Sequence, residues 1–175
     1  DPVFFIAGGP GQAASEVASL VSASLREVRR QRDLFFVDQR GTGKSNPLTC
    51  QDEQGKPLPM DPKMEPTLEA LTAYAQRCAD SLTDRADTRF YTTTHAIADL
   101  DAVRAALGVA QINLIGGSYG TRVAQQYAAT YPDHTRAVVI DGVAPNELVV
   151  GGDFANTFEN AITLQDYTQP GGGVY

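Results

Sequence analysis

Apolar residues fall into four short, nearly unbroken runs, and between the runs they recur at three- and four-residue intervals. The runs are VFFIA (residues 3–7), LFFVD (34–38), INLIG (112–116) and AVVID (137–141). Each is too short for a helix and rich in β-branched or aromatic side chains. None shows the strict alternation of a half-exposed strand, so they read as strands buried on both faces, the pattern of a parallel sheet. Residues 13–30 carry Val17, Leu20, Val21, Leu25 and Val28 near helical spacing, which predicts one helix. Residues 96–107 carry Ile97, Leu100, Val103 and Leu107 on one stripe, and Gly108 fits a C-terminal stop. The stretch TRVAQQYAATYP reads as a third helix, ended by Pro132. Strand and helix in alternation predict an α/β fold with a mainly parallel sheet flanked by helices.

Two stretches break the rhythm. Residues 46–66 hold five prolines and few large apolar side chains, a surface excursion followed by a predicted helix at 67–82. Residues 153–164 carry a helical pattern, and QDYTQPGGGVY follows without periodicity. Composition adds bounds. A chain of 175 residues, 42% hydrophobic, supports one core and one main domain. A net charge of −7 argues against a nucleic-acid partner, which needs a basic face. No apolar run approaches the roughly 18–20 residues of a membrane-spanning helix, so no membrane partner is expected. The chain opens inside what reads as a core strand, so the lack of a visible signal peptide carries little weight.

The chemistry concentrates at strand ends. Residues 116–120, GGSYG, satisfy G-x-S-x-G between a strand and a helix. A serine on so sharp a turn takes strained backbone angles, and its flanking glycines remove side chains that would clash with strand and helix. Ser118 is thereby exposed above the sheet, at a helix N-terminus that favours developing negative charge. The first strand leads into AGGPGQ (7–12), which admits two readings. Gly9, Gly11 and Ala14 with Asp38 outline a dinucleotide site, but the spacing to Asp38 exceeds the usual ~20 residues and Pro10 lacks a donor. The alternative is an oxyanion loop working with the N–H of Tyr119, and it accounts for both glycine motifs together. DQRGTGKS (38–45) ends like a phosphate loop but has Asp38 where that motif needs glycine. It is expected to be a structural turn in which Arg40 pairs with Asp38. No cofactor and no metal ligands are expected.

A serine nucleophile needs a base, and the chain has two histidines. His95 precedes Ser118 at the start of a helix, where a capping or surface role is expected. His134 lies in the turn entering the fourth strand, at the edge of the sheet opposite Ser118. A five-residue strand rises roughly 17 Å, far beyond a hydrogen bond of roughly 3 Å. Neither histidine is therefore expected to serve Ser118. Asp141 ends its strand on the correct edge and could be an acid, with loop anchoring the expected role. Cys50 and Cys78 are either unrelated thiols or a disulfide tying the excursion to the following helix. The disulfide would imply an oxidising compartment.

Taken together, AGGPGQ, DQRGTGKS, GGSYGT and DGVAP resemble the proline iminopeptidase and tripeptidyl aminopeptidase branch of the α/β-hydrolase family, from residue 3 to about 164. The resemblance implies that Ser118 is the nucleophile and that the N–H groups of Gly9 and Tyr119 form the oxyanion hole. It also implies a serine exopeptidase that acts on peptide or ester substrates without a cofactor. Esterase chemistry, or a binding domain that has lost its base, are the alternatives. Cys50 and Cys78 resemble a cysteine pair of exported members, which implies a disulfide and a periplasmic or secreted location rather than a cytoplasmic one. Two departures stand out. Ala7 occupies a position where the family commonly has histidine, and the family's acid and histidine lie beyond the equivalent of residue 164. Residues 1–152 are then the catalytic core of an incomplete α/β-hydrolase fold. Residues 153–175 are the start of a cap or linker region, and the remaining segment of the parent protein is a partner. The chain alone is expected to be inactive.

Overall fold

The computed structural model describes residues 1–58 and 67–147. The strands are β1 (Val3–Ile6), β2 (Leu34–Phe36), β3 (Ile112–Gly117) and β4 (Thr135–Asp141). The helices are α1 (Ala14–Ser24), α2 (Arg26–Arg29), α3 (Leu68–Leu82), α4 (Thr93–Ala106) and α5 (Tyr119–Thr130). The four strands form one parallel sheet in the order β2-β1-β3-β4. The α/β fold and the parallel sheet expected from the apolar runs are both present. The helix expected over residues 153–164 lies outside the described residues.

Several element ends differ from expectation, and two of the differences have a local cause. The helix anticipated over 13–30 is two helices, interrupted at Leu25 with φ −95° and ψ 26°. Ser24 Oγ donates to the carbonyl of Leu20 at 3.2 Å, a back-bond of the kind that bends a helix just before the break. The strand expected to run to Asp38 ends at Phe36, because Asp38 has partners outside the sheet.

Sequence register explains which side chains make the core. Phe4 sits beside Leu114 and Phe5 beside Ile115. Successive strand residues alternate faces, so Phe4, Ile6, Ile112 and Leu114 share one face. There they pack against Ile97 and Leu100 of α4 and Val123, Ala124 and Tyr127 of α5, all buried. The opposite face carries the row Phe36, Phe5, Ile115 and Val139, of which Val139 is 57% exposed. The connections from β1 to β2 and from β3 to β4 run in opposite directions across the sheet. Right-handed crossovers therefore place α1 and α5 on opposite faces. Between the adjacent strands β1 and β3 the chain departs in opposite directions, which opens a crevice at the carboxyl edge of the sheet.

Candidate active site

Ser118 stands in that crevice. It is exposed, it joins β3 to α5, and its backbone takes φ 53° and ψ −121°, a region that few residues other than glycine enter. The motif's outer glycines permit the turn. A side chain at Gly120 would overlap the carbonyl of Ile6 on β1, and one at Gly116 would overlap the carbonyl of Gly120. No residue with a Cβ fits at either position without moving backbone. Ser118 is further held by its own N–H, which donates to the Asp141 carbonyl at the end of β4 at 2.9 Å. Its carbonyl accepts from the N–H of Thr121 at 3.0 Å. The N–H of Tyr119 is the first of α5 and belongs to the donors that a helix leaves without an internal acceptor.

The loop leaving β1 faces this turn. A Cβ added at Gly8 would lie 3.1 Å from Ser118 Cβ and 3.5 Å from its Oγ, so the loop backbone and the Ser118 side chain are in near contact. Gly9, beside it, has φ 107°, and an added side chain there would press on the amide of Gly11 at 2.7 Å. The loop thus coils tightly around its own amides, a shape that only glycine takes. Sequence reasoning selected Gly9 and passed over Gly8, the residue that comes against Ser118. A groove of about 380 Å³ opens beside Ser118, walled by Phe5 and by Val17 and Leu20 of α1, with Asp141 at its rim.

The arrangement is that of a known family. The alpha/beta hydrolase fold model matches residues 1–162. The chain belongs to the alpha/beta hydrolase family. It is 32% identical over 170 residues to the serine protease Hip1 of Mycobacterium tuberculosis, covering 87% of this chain and 32% of that protein. It is 34% identical over 146 residues to the tripeptidyl aminopeptidase of Streptomyces lividans, covering 78% and 27%. The chain therefore spans about a third of these relatives or less. Among solved structures, an alpha/beta hydrolase from a deep-sea metagenome superposes with a TM-score of 0.53 at 17% identity, covering 95% of this chain and 45% of that one.

Within this alpha/beta hydrolase the DQRGTGKS segment is not held as anticipated. Asp38 does not pair with Arg40. Its carboxylate accepts from the N–H and the hydroxyl of Ser15, each at 2.8 Å, and from the N–H of Lys44 at 3.0 Å. Burial pushes the Asp38 carboxyl up, but these hydrogen bonds outweigh it and hold it below its ordinary value. The cause of the changed pairing is the N-terminus of α1, whose amides and dipole attract the carboxylate. Arg40 turns the other way, donating to both oxygens of Asp99 on α4 and to the Phe90 carbonyl at 2.9 Å. With Asp38 committed to α1, the acid that a dinucleotide site would require is engaged elsewhere.

Both histidines have partners of their own. His95 Nδ1 shares a hydrogen bond with Thr92 Oγ1, at the N-cap of α4, at 2.8 Å. His134 closes the 3₁₀ turn Pro132–His134 and immediately precedes β4. Its Nδ1 lies 2.7 Å from Asp101 Oδ1, and its ring stacks on Tyr131. Because β3 and β4 are parallel, with Ile112 opposite Thr135 and Gly117 opposite Asp141, His134 lies at the sheet edge remote from Ser118. Neither histidine lines the groove beside the serine. Cys50 and Cys78 are joined as a disulfide, with Cα atoms 4.9 Å apart. Among the described residues no cluster of side chains suits a metal ion, and no helix is long and apolar enough to cross a membrane.

Proposed function

We propose that this chain is the nucleophile-bearing core of a serine exopeptidase that releases single residues or short peptides from substrate N-termini. The observation that carries the reading is Ser118, exposed on a strained turn at the head of α5 and faced by the glycine loop. Its Oγ attacks the acyl carbon while its proton passes to a base. The N–H groups of Gly9 and Tyr119 hold the oxygen that gains negative charge. The amine departs with that proton, and water then hydrolyses the ester to regenerate Ser118. The base and its acid come from the parent protein outside these 175 residues, since His95 and His134 are bound elsewhere. The names of the relatives, a serine protease and a tripeptidyl aminopeptidase, support peptide over ester substrates. The Cys50–Cys78 bond supports a periplasmic or secreted setting.

The test is pre-steady-state kinetics with a peptide anilide or an activated ester. The natural gene product that carries this sequence should give a burst of one equivalent, abolished by Ser118→Ala. The isolated 175-residue chain should turn over nothing. Turnover by that chain, lost in Ser118→Ala, would overturn the assignment of the base to the rest of the protein.

A further inference from the structure

Thr121 is fully buried, and its hydroxyl makes two hydrogen bonds that the mechanism above does not use. Oγ1 donates to the Ser118 carbonyl at 2.6 Å and accepts from the N–H of Ala144 at 2.8 Å. We propose that Thr121 is a positioning residue that aims the Tyr119 N–H at the oxyanion. The inference rests on the reading of Ser118 as nucleophile and of Tyr119 as donor.

The link is the peptide bond itself. The carbonyl of Ser118 and the N–H of Tyr119 belong to one planar trans unit, so they point in opposite directions. Whatever fixes the carbonyl toward the interior fixes the N–H toward the crevice. A hydroxyl has a single proton and can rotate to several acceptors. Here the N–H of Ala144 donates into the oxygen, which leaves the proton to the Ser118 carbonyl. The Thr121 N–H donates to the same carbonyl. Two donors on one carbonyl also polarise the peptide and make its N–H a stronger donor.

The far end of the relay is itself fixed. Arg122 Nη2 donates to the Pro145 carbonyl at 2.5 Å, and Gln126 Nε2 to Asn146 Oδ1 at 3.1 Å. The segment after β4 is thus tied along α5. Both backbone groups of Ser118 end on that segment's side. The N–H binds the Asp141 carbonyl directly, and the carbonyl reaches Ala144 through Thr121. A strained conformation persists only when its surroundings over-determine it, and this ring of contacts does so.

The experiment uses the natural gene product carrying these residues, with Thr121→Ala and Thr121→Ser compared. Both remove the methyl group, and only the first removes the hydroxyl. Thr121→Ala should lower kcat on a peptide anilide about 10- to 50-fold, part of what deletion of an oxyanion donor costs, with KM changed less than about threefold. The inhibition constant of a substrate-like trifluoromethyl ketone, which binds as an oxyanion, should rise by the same factor. Thr121→Ser should stay within about threefold of the parent in both measurements. Equal losses in the two variants, or a wild-type kcat in a folded Thr121→Ala, would overturn the inference. A fluorophosphonate probe separates this from the broader reading. If the probe labels the parent but not Ser118→Ala, the nucleophile stands whatever Thr121 does. If it does not label Ser118, both fail.

Discussion

Asp38 caps helix α1 from 23 residues away, taking both the N–H and the hydroxyl of Ser15 at 2.8 Å. The helix's own N-cap, Ala13, has no side-chain acceptor, so the carboxylate of a distant loop takes the place that serine or aspartate usually fills locally. The glycine loop from Gly8 to Ala13 runs between β1 and this pinned helix end. Asp38 thereby links the loop facing Ser118 to the turn after β2.

Replacing Asp38 with alanine should cost about 1–2 kcal/mol, the loss of a cap and of hydrogen bonds to a charged group that is partly screened by solvent. Asp38→Asn should cost less, because an amide oxygen still accepts from Ser15. Thermal or urea unfolding measures both. The depressed carboxyl sets the sign of the pH dependence. Its contribution is present above the ordinary aspartate pKa of 3.8 and fades as pH falls through the lower folded value. An alanine variant as stable as the parent at neutral pH would contradict the capping role.

What could be read in the sequence, and what could not, divides by range. The four strands were legible because an apolar run bounded by turn residues is a local signal. The sharp turn at Ser118 was legible because its marker glycines, Gly116 and Gly120, stand within two residues of it, although the Ile6 carbonyl that Gly120 makes room for lies on β1. Arg40 was misassigned because its partner Asp99 lies 59 residues on, and the nearest acid in sequence, Asp38, had a helix end to satisfy. The break at Leu25 follows a serine back-bond that the spacing of apolar residues does not register. Thr121 stood inside the quoted GGSYGT, but its relay needs Ala144, which the fold brings across from beyond β4. Gly8 and Gly9 are equally glycine, and only the path of the loop distinguishes which one meets Ser118.

A second carboxylate predicts a pH effect far from Ser118. Asp101 accepts from Arg104 Nε at 2.7 Å and from the buried Tyr127 hydroxyl at 2.9 Å, with His134 Nδ1 at 2.7 Å. The Arg104 guanidinium, first among these, holds its carboxyl down at about 2 against burial, while burial and Asp101 together push the Tyr127 hydroxyl up. A folded value below the unfolded 3.8 means the stabilisation is complete above about pH 4 and is lost as pH falls from there toward 2. Its size, discounted for solvent screening, is on the order of 1–2 kcal/mol. Urea unfolding at pH 7, 4 and 3 should therefore show a drop that is smaller in Asp101→Asn. The same drop in the variant would place the acid sensitivity elsewhere.

Reduction of the disulfide should loosen one region rather than the whole fold. The Cys50–Cys78 bond closes a separation of 28 residues, for which loop entropy predicts roughly 3–4 kcal/mol. How that appears depends on what else holds α3. Of its described residues only Leu82 is buried, and its described side-chain bonds to other segments run to the stretch around Cys50. Those ties are Ser81 Oγ, which accepts from the Gln51 N–H at 3.3 Å, and the Tyr74 hydroxyl, which donates to the Leu58 carbonyl at 3.0 Å. Arg85, just beyond the helix, donates to the Thr49 carbonyl at 2.8 Å. Among the described residues, the side-chain hydrogen bonds that this helix makes to other segments go to the excursion rather than to β1, β3, α4 or α5. Local opening should then respond first. With a reductant present, amide exchange across Leu68–Leu82 should accelerate at least about tenfold. Amides of β1 and β3 should keep their protection, and Cys50→Ser with Cys78→Ser should reproduce the pattern without reductant. Equal acceleration in the sheet and in α3 would show instead that the bond stabilises the domain as one unit.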